Sequence, residues 1–132
     1  MALDPAGLTG DVLTFLTERH LATLSTLRAD GSIHAVPVGF SWDDATGTAR
    51  VITSAGSVKA RNAARGGRGS LCQVEGRRWL TLEGTLAVRT EPDTVRDAVD
   101  RYARRYRVPR ENPTRVVLEI TVDRALGSGF AS

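Results

Sequence analysis

The feature that most constrains the fold is a succession of short apolar segments that are joined by turns rather than by helices. Segment 21–27 is followed by a Gly-containing turn at 29–32 and by a second apolar segment, 33–42. A further turn at 43–47 leads into segment 48–54. Apolar segments bounded by glycine and aspartate are typical of antiparallel strands in hairpins. This part of the chain is therefore expected to form a sheet of hairpins rather than βαβ units.

The remaining segments extend the same pattern. Three more strands are predicted, at 70–75, 79–89 and 115–126. One helix is expected from Thr9 to about residue 19, one from Ser57 to about residue 66, and one from Thr90, with proline and aspartate early in its first turn. Because strands outnumber helices and do not alternate with them, the sequence favours a mainly β fold, a small six-stranded antiparallel barrel with three helices.

The composition excludes several classes of protein. The 132 residues suit a single domain, 1–132, and the net charge is only +3, with arginines interleaved among carboxylates. A nucleic-acid partner is therefore not expected. The single cysteine, Cys72, is expected in the core, and no metal-ligand spacing occurs. No apolar run reaches the roughly 20 residues of a membrane span, and no secretory signal is visible, so we expect a cytoplasmic protein.

The only lysine, Lys59, lies in the first turn of the second predicted helix. Ser57 is expected to cap this helix, and Arg61 follows, with no acidic residue between Asp44 and Glu75. A helix start normally attracts acidic side chains, so the excess of positive charge suits an anion such as a phosphate. A solvated surface helix explains the same residues equally well.

The chain offers few groups for catalysis, and no catalytic residue is predicted. It has no Gly-x-Ser-x-Gly, Walker or Gly-x-Gly-x-x-Gly sequence, and His20 is expected to end the first helix. Pro37, inside a predicted strand, indicates a sheet edge, a bulge or a neighbouring ligand. Trp79 suits either the wall of a site for a flat ring system or the core.

Several segments together resemble a known family. Segments 31–40, 51–54 and 57–62 resemble the pyridoxamine-phosphate-oxidase-like split-barrel superfamily. Segments 16–22, 73–79 and 101–107 are similar to the biliverdin reductases within its branch that uses coenzyme F420, a deazaflavin. The resemblance implies a homodimer of six-stranded split barrels, with the cofactor in a groove between the subunits. The Arg-x-His sequence of the true pyridoxine phosphate oxidases is absent near the C-terminus.

The resemblance also implies an activity and a set of site residues. The activity is transfer of a hydride from reduced coenzyme F420 to a conjugated acceptor, above all the tetrapyrrole biliverdin. An FMN-dependent oxidoreductase stays open, because some relatives have an arginine where this chain has Ser57. A non-catalytic flavin or deazaflavin carrier also stays open, because the same pocket would serve a carrier and an enzyme. An arginine-rich rim would bind the substrate's propionates, with no particular arginine assigned. The cofactor-binding residues carried over are Lys59 at the phosphate, with Ser57, Arg61 and Asn62 beside it; His34, Val36, Pro37, Val38, Val51, Ile52, Thr53 and Ser54 around the ring; and, more loosely, Trp79.

Overall fold

The computed structural model describes residues 1–130, which form eight strands and three helices. The strands are β1 (Ala2–Leu3), β2 (Ala22–Leu27), β3 (Ile33–Val38), β4 (Ser41–Asp43), β5 (Thr48–Ser54), β6 (Arg68–Glu75), β7 (Arg78–Arg89) and β8 (Arg115–Ser128). The helices are α1 (Gly10–Phe15), α2 (Val58–Ala64) and α3 (Pro92–Arg105). The predicted domain, 1–132, includes positions 131 and 132, which lie outside the described residues.

The strands form one antiparallel sheet in the order β3-β2-β6-β7-β8-β5-β4, and β1 pairs with β8. A mainly β, antiparallel fold with three helices is therefore confirmed. The predicted strand number of six is wrong, because the sheet has eight strands. Within residues 1–130 its two edges, β3 and β4, do not pair with each other, so the expected split barrel is an open sheet. The added strands are the two-residue β1, which is too short to show a sequence pattern, and the separate β4.

A corner at Phe40 divides the predicted strand 33–42 into β3 and β4. The Phe40 N–H donates to the Tyr106 hydroxyl at 3.2 Å, and the Phe40 carbonyl accepts from Arg105 at 2.7 Å. Because side chains hydrogen-bond to both the N–H and the carbonyl of Phe40, neither group is available to pair with a neighbouring strand. The chain therefore turns there, and Pro37 lies in an edge strand, one of the three settings expected for it.

The first and third helices differ from their predicted limits. Helix α1 ends at Phe15, so the prediction that His20 ends this helix is wrong. Instead, His20 Nε2 lies 2.8 Å from a carboxylate oxygen of Glu18. Helix α3 is preceded by Glu91 rather than capped by Thr90, because Pro92 takes the first helical position.

The core lies between the inner face of the sheet and helices α1 and α2. Removing a leucine side chain from water contributes about 1.5–3 kcal/mol of stability, so the buried apolar side chains of this core dominate the stability of the fold. Cys72 is half-buried on the outer face, between the inward-facing Leu71 and Gln73, so its predicted core position is wrong. Within residues 1–130, no helix is long and apolar enough to cross a membrane. The largest fully buried apolar side chains are Phe15, Phe40, Leu24, Leu71, Leu80, Leu82, Leu118, Ile120, Val12, Val51 and Val117.

Candidate functional site

A groove of about 340 Å³ lies between the ends of β3 and β5 and is walled by α3 and the loop that leads to β8. Strands β3 and β5 are far apart along the hydrogen-bonded path of the sheet, so the sheet curls until the two meet at the groove. We call this site the inter-strand groove. Its lining residues are Pro37, Val38, Gly39, Val51, Ile52, Thr53, Ser54, Lys59, Tyr102, Pro109, Asn112 and Arg115.

One end of the inter-strand groove is positively charged. Lys59 and Arg115 line it, and no aspartate or glutamate among residues 1–130 does. Arg115 lies opposite Ser54 in the β5–β8 ladder, and its guanidinium donates to the Arg110 carbonyl at 2.5 Å. Neither Lys59 nor Arg115 forms an ion pair with any residue from 1 to 130. Two cations without a local counter-charge make this end suitable for an anion.

The position of Lys59 is set by the junction between β5 and α2. The Ser57 hydroxyl accepts a hydrogen bond from the Ala60 N–H at 3.2 Å, so the predicted cap is confirmed. The same hydroxyl accepts from Thr53 at 3.1 Å, which ties the helix start to the end of the strand. Helix α2 has only seven residues, so the ammonium group of Lys59, rather than a helix dipole, supplies the charge.

The other end of the groove is apolar and closely packed. A Cβ atom on Gly39 would lie 3.0 Å from Cε2 of both Tyr102 and Tyr106, so only glycine allows both rings to approach the chain here. The two rings pack with their centroids 4.9 Å apart. Tyr106 is fixed by donating to the His20 carbonyl at 2.6 Å. Its partner ring, Tyr102, thereby forms a wall of the groove beside Pro37.

A buried arginine holds this wall in place from behind. Arg105 is 8% exposed and donates to the carbonyls of Glu18 and Phe40 at 2.8 and 2.7 Å, and to the side-chain oxygen of Gln73 at 2.5 Å. Its guanidinium also lies 4.7 Å from the centre of the Phe40 ring. Burial lowers the pKa of Arg105 from its usual value and raises that of the Tyr106 hydroxyl. Both side chains hydrogen-bond to the backbone of Phe40, so both are structural parts of this corner.

The sequence model of the pyridoxamine 5'-phosphate oxidase family matches residues 8–128. The chain belongs to this family. It is 60% identical over 121 residues to an F420H(2)-dependent biliverdin reductase from Mycobacterium tuberculosis (strain CDC 1551 / Oshkosh), covering 92% of this chain and 88% of the relative.

Solved structures share the fold of this oxidase-family chain at low sequence identity. A conserved hypothetical protein from Mycobacterium tuberculosis has a TM-score of 0.78 at 23% identity, covering 92% of this chain and 84% of that one. An F420 reductase has a TM-score of 0.72 at 19% identity, covering 91% and 98%. At these identities the two structures support the fold alone.

The groove of this family member brings together seven of the thirteen site residues expected from the sequence. These are Pro37, Val38, Val51, Ile52, Thr53, Ser54 and Lys59. The other six lie outside the inter-strand groove: His34, Val36, Ser57, Arg61, Asn62 and Trp79.

Among the six, Asn62 has a clear structural environment. Its side chain is 4% exposed, donates to the Thr26 hydroxyl at 3.0 Å and accepts from Arg65 at 2.5 Å. Asn62 thus fastens α2 to β2 inside the protein. Arg61 is exposed on the same helix, and Trp79 lies on β7 opposite Val74.

Five lining residues were missed by reasoning from the sequence. They lie at the corner after β3, on α3 and in the loop before β8: Gly39, Tyr102, Pro109, Asn112 and Arg115. The last four are separated from Lys59 by more than forty positions, so no local spacing links them to it. The available signals were two resemblances: segment 31–40 to the split-barrel superfamily, which includes Gly39, and segment 101–107 to F420-using relatives, which includes Tyr102.

Proposed function

We propose that this chain is a reductase that transfers a hydride from reduced coenzyme F420 to biliverdin and yields bilirubin. The observation that carries the proposal is the 60% identity, over 92% of the chain, to a protein named F420H(2)-dependent biliverdin reductase. The small-molecule substrate is thus a tetrapyrrole with two anionic propionates. Location in the cytoplasm stays a prediction.

The chemistry of the inter-strand groove fits this cofactor. Lys59 and Arg115 would hold its phosphate at the charged end. The apolar end, with Pro37, Val38 and the ring of Tyr102, would border its flat ring system. When bound, reduced F420 supplies a hydride, that is, two electrons in a single step.

The residues of the chain contribute positioning rather than a nucleophile. No histidine, cysteine or carboxylate lines the groove among the described residues. Hydride transfer requires donor and acceptor to lie about 3–3.5 Å apart in a site from which water is excluded. The packed corner of Gly39, Tyr102 and Tyr106 supplies a rigid, apolar wall of the kind this requires.

A cofactor titration tests the assignment of F420 against the open alternative, FMN. Tryptophan fluorescence is measured while coenzyme F420, FMN or FAD is added to the wild-type chain. Loss of the Lys59 contact in Lys59→Ala should cost about 1.5–3 kcal/mol of F420 binding, because a charge-assisted contact to the phosphate disappears. Arg61→Ala, on the exposed side of the same helix, should bind F420 like the wild type. Tighter binding of FMN than of F420 would contradict the cofactor assignment.

We also propose that the chain forms a homodimer through the outer face of β3, β2 and β6. Strand register places mainly uncharged side chains side by side on this face, and Leu27, Ile33 and Val74 are 48%, 67% and 63% exposed. Arg68, at the start of β6, is on the same face but is ion-paired with Asp123 at 2.6 Å. Pro37 lies both on this face and in the inter-strand groove, so a second copy would border the groove. The uncharged residues of the face are Thr23, Ser25, Leu27, Ile33, Ala35, Pro37, Ser70, Cys72 and Val74.

Light scattering after size-exclusion chromatography tests the homodimer. The wild type should have twice the mass of one chain. Thr23→Arg, which places a charge at the centre of the outer face, should shift the protein to the monomer. Thr121→Arg is the matched control, because Thr121 is exposed on β8, away from this face. A monomeric wild type, or a Thr23→Arg variant that stays dimeric, would contradict the proposal.

A further inference from the structure

A second cavity, of about 390 Å³, adjoins the inter-strand groove across a single side chain. Tyr102 lines both sites. The two sites therefore share the Tyr102 side chain as a wall. We call it the arginine pocket, and its lining residues are Arg19, Leu21, Tyr102, Tyr106 and Arg107.

The arginine pocket combines two cations with an apolar wall. Arg19 donates to the carbonyl of Tyr106, which holds its guanidinium at the C-terminal end of α3, and Arg107 is the next residue along the chain. Neither arginine forms an ion pair with a residue of the described part of the chain, and no carboxylate lines the cavity. Leu21 is 62% exposed beside them.

A neighbouring cavity beside α3 is lined by more arginines, but fewer of them are free to bind an added anion. Arg101, Arg104 and Arg105 line it together with Trp42. Arg101 already forms an ion pair with Asp97 at 2.9 Å, and Arg105 is buried with three acceptors. The arginine pocket is thus the better site for an added anion.

We propose that the arginine pocket binds the carboxylate arms of the acceptor, an inference that rests on the proposed function. An acceptor stacked on the cofactor ring, at the apolar end of the inter-strand groove, lies beside Tyr102, and its side arms extend past this ring to Arg19 and Arg107. Guanidinium groups bind carboxylates through paired hydrogen bonds, and exposed Leu21 offers apolar contact to the alkyl part of each arm. The class of ligand is therefore a flat conjugated molecule that carries flexible carboxylates.

The test measures binding of biliverdin and of its dimethyl ester, which lacks the carboxylate charges, by visible circular dichroism of the bound pigment. Arg107→Ala and Arg19→Ala should each weaken biliverdin binding about tenfold, because one charge-assisted contact is lost. Their affinity for the dimethyl ester, and for coenzyme F420 alone, should stay within about twofold of the wild type, because substitutions at distant, independent sites change each other's effects only slightly. Arg104→Ala is the matched control, because Arg104 lies on α3 three residues before Arg107 and lines the neighbouring cavity instead, and it should leave all three affinities unchanged.

The outcomes separate this inference from the proposed function. Equal losses for biliverdin and its ester, or unchanged biliverdin binding in both variants, would overturn the arginine pocket as the carboxylate site. A larger loss in Arg104→Ala would move the site to the neighbouring cavity and overturn it too, as would a wild type that binds no biliverdin. Tight, arginine-dependent binding without reduction by F420H2 would support the pocket and refute the reductase.

Discussion

The close packing at Gly39 gives a sharp test of how the groove is built. A Cβ at this position would lie 3.0 Å from Tyr102 and Tyr106 carbon atoms, several tenths of an ångström inside ordinary contact. Tyr106 is held by two hydrogen bonds, to His20 and Phe40, whereas the Tyr102 hydroxyl has none within residues 1–130. In Gly39→Ala the Tyr102 ring must therefore move, and it separates two open spaces, the inter-strand groove and the arginine pocket, so its movement changes the wall of the groove.

The expected cost follows from this overpacking. An extra methyl group in a well-packed site destabilises by about 1–3 kcal/mol, which is about 4–10 °C in the melting temperature for a chain of this length. Calorimetry should show this loss, and a fluorescence titration should show weaker F420 binding. Gly10→Ala is the matched control, because nothing lies within 4 Å of its Cβ, and it should be neutral or slightly stabilising. A Gly39→Ala variant with wild-type stability and F420 affinity would refute the packing argument.

Three further changes have predictable effects on stability, each measured by urea unfolding. Asn62→Leu should cost about 1–3 kcal/mol by leaving the Thr26 hydroxyl unpaired, and the double variant Asn62→Leu, Thr26→Val should recover part of that loss. Arg105→Met should cost about 3 kcal/mol or more, because three acceptors lose their donor. Hydrogen bonds from Arg78 and then from His20 lower the pKa of Glu18 to about 2, so its contribution should be complete above about pH 4.5 and lost as the pH falls toward 2. Glu18→Gln should flatten the pH dependence of the unfolding midpoint in that interval, and an unchanged slope would contradict this assignment.

The strands were predictable from the sequence wherever local patterning sets them. Turn residues and alternation placed β2, β5, β6 and β7 within a few residues of their observed limits. The break between β3 and β4 was not predictable, because it depends on Tyr106 and Arg105, which reach Phe40 from more than sixty positions away. Long-range side-chain bonds of this kind leave no periodic signal.

The residues of the candidate site, like the strands, were predictable only where local sequence determines their position. Ser57 and Lys59 follow β5 directly, so local sequence could place them beside its end. Asn62, three residues after Lys59, looked equally suitable, yet the helical turn directs it inward to Thr26. Tyr102 and Arg115 reach the groove only through the packing of α3 and the pairing of β8, which local sequence does not specify.

The central claim, hydride transfer from F420H2 to biliverdin, is tested most directly by turnover. The purified wild-type chain is mixed with reduced F420 and biliverdin in the absence of oxygen, and absorption spectra are recorded with time. We predict loss of the biliverdin band, appearance of bilirubin and one F420 oxidised for each pigment reduced, all at a slower rate in Lys59→Ala at limiting cofactor. Tight binding of both ligands with no bilirubin formed would contradict it and leave a non-catalytic carrier.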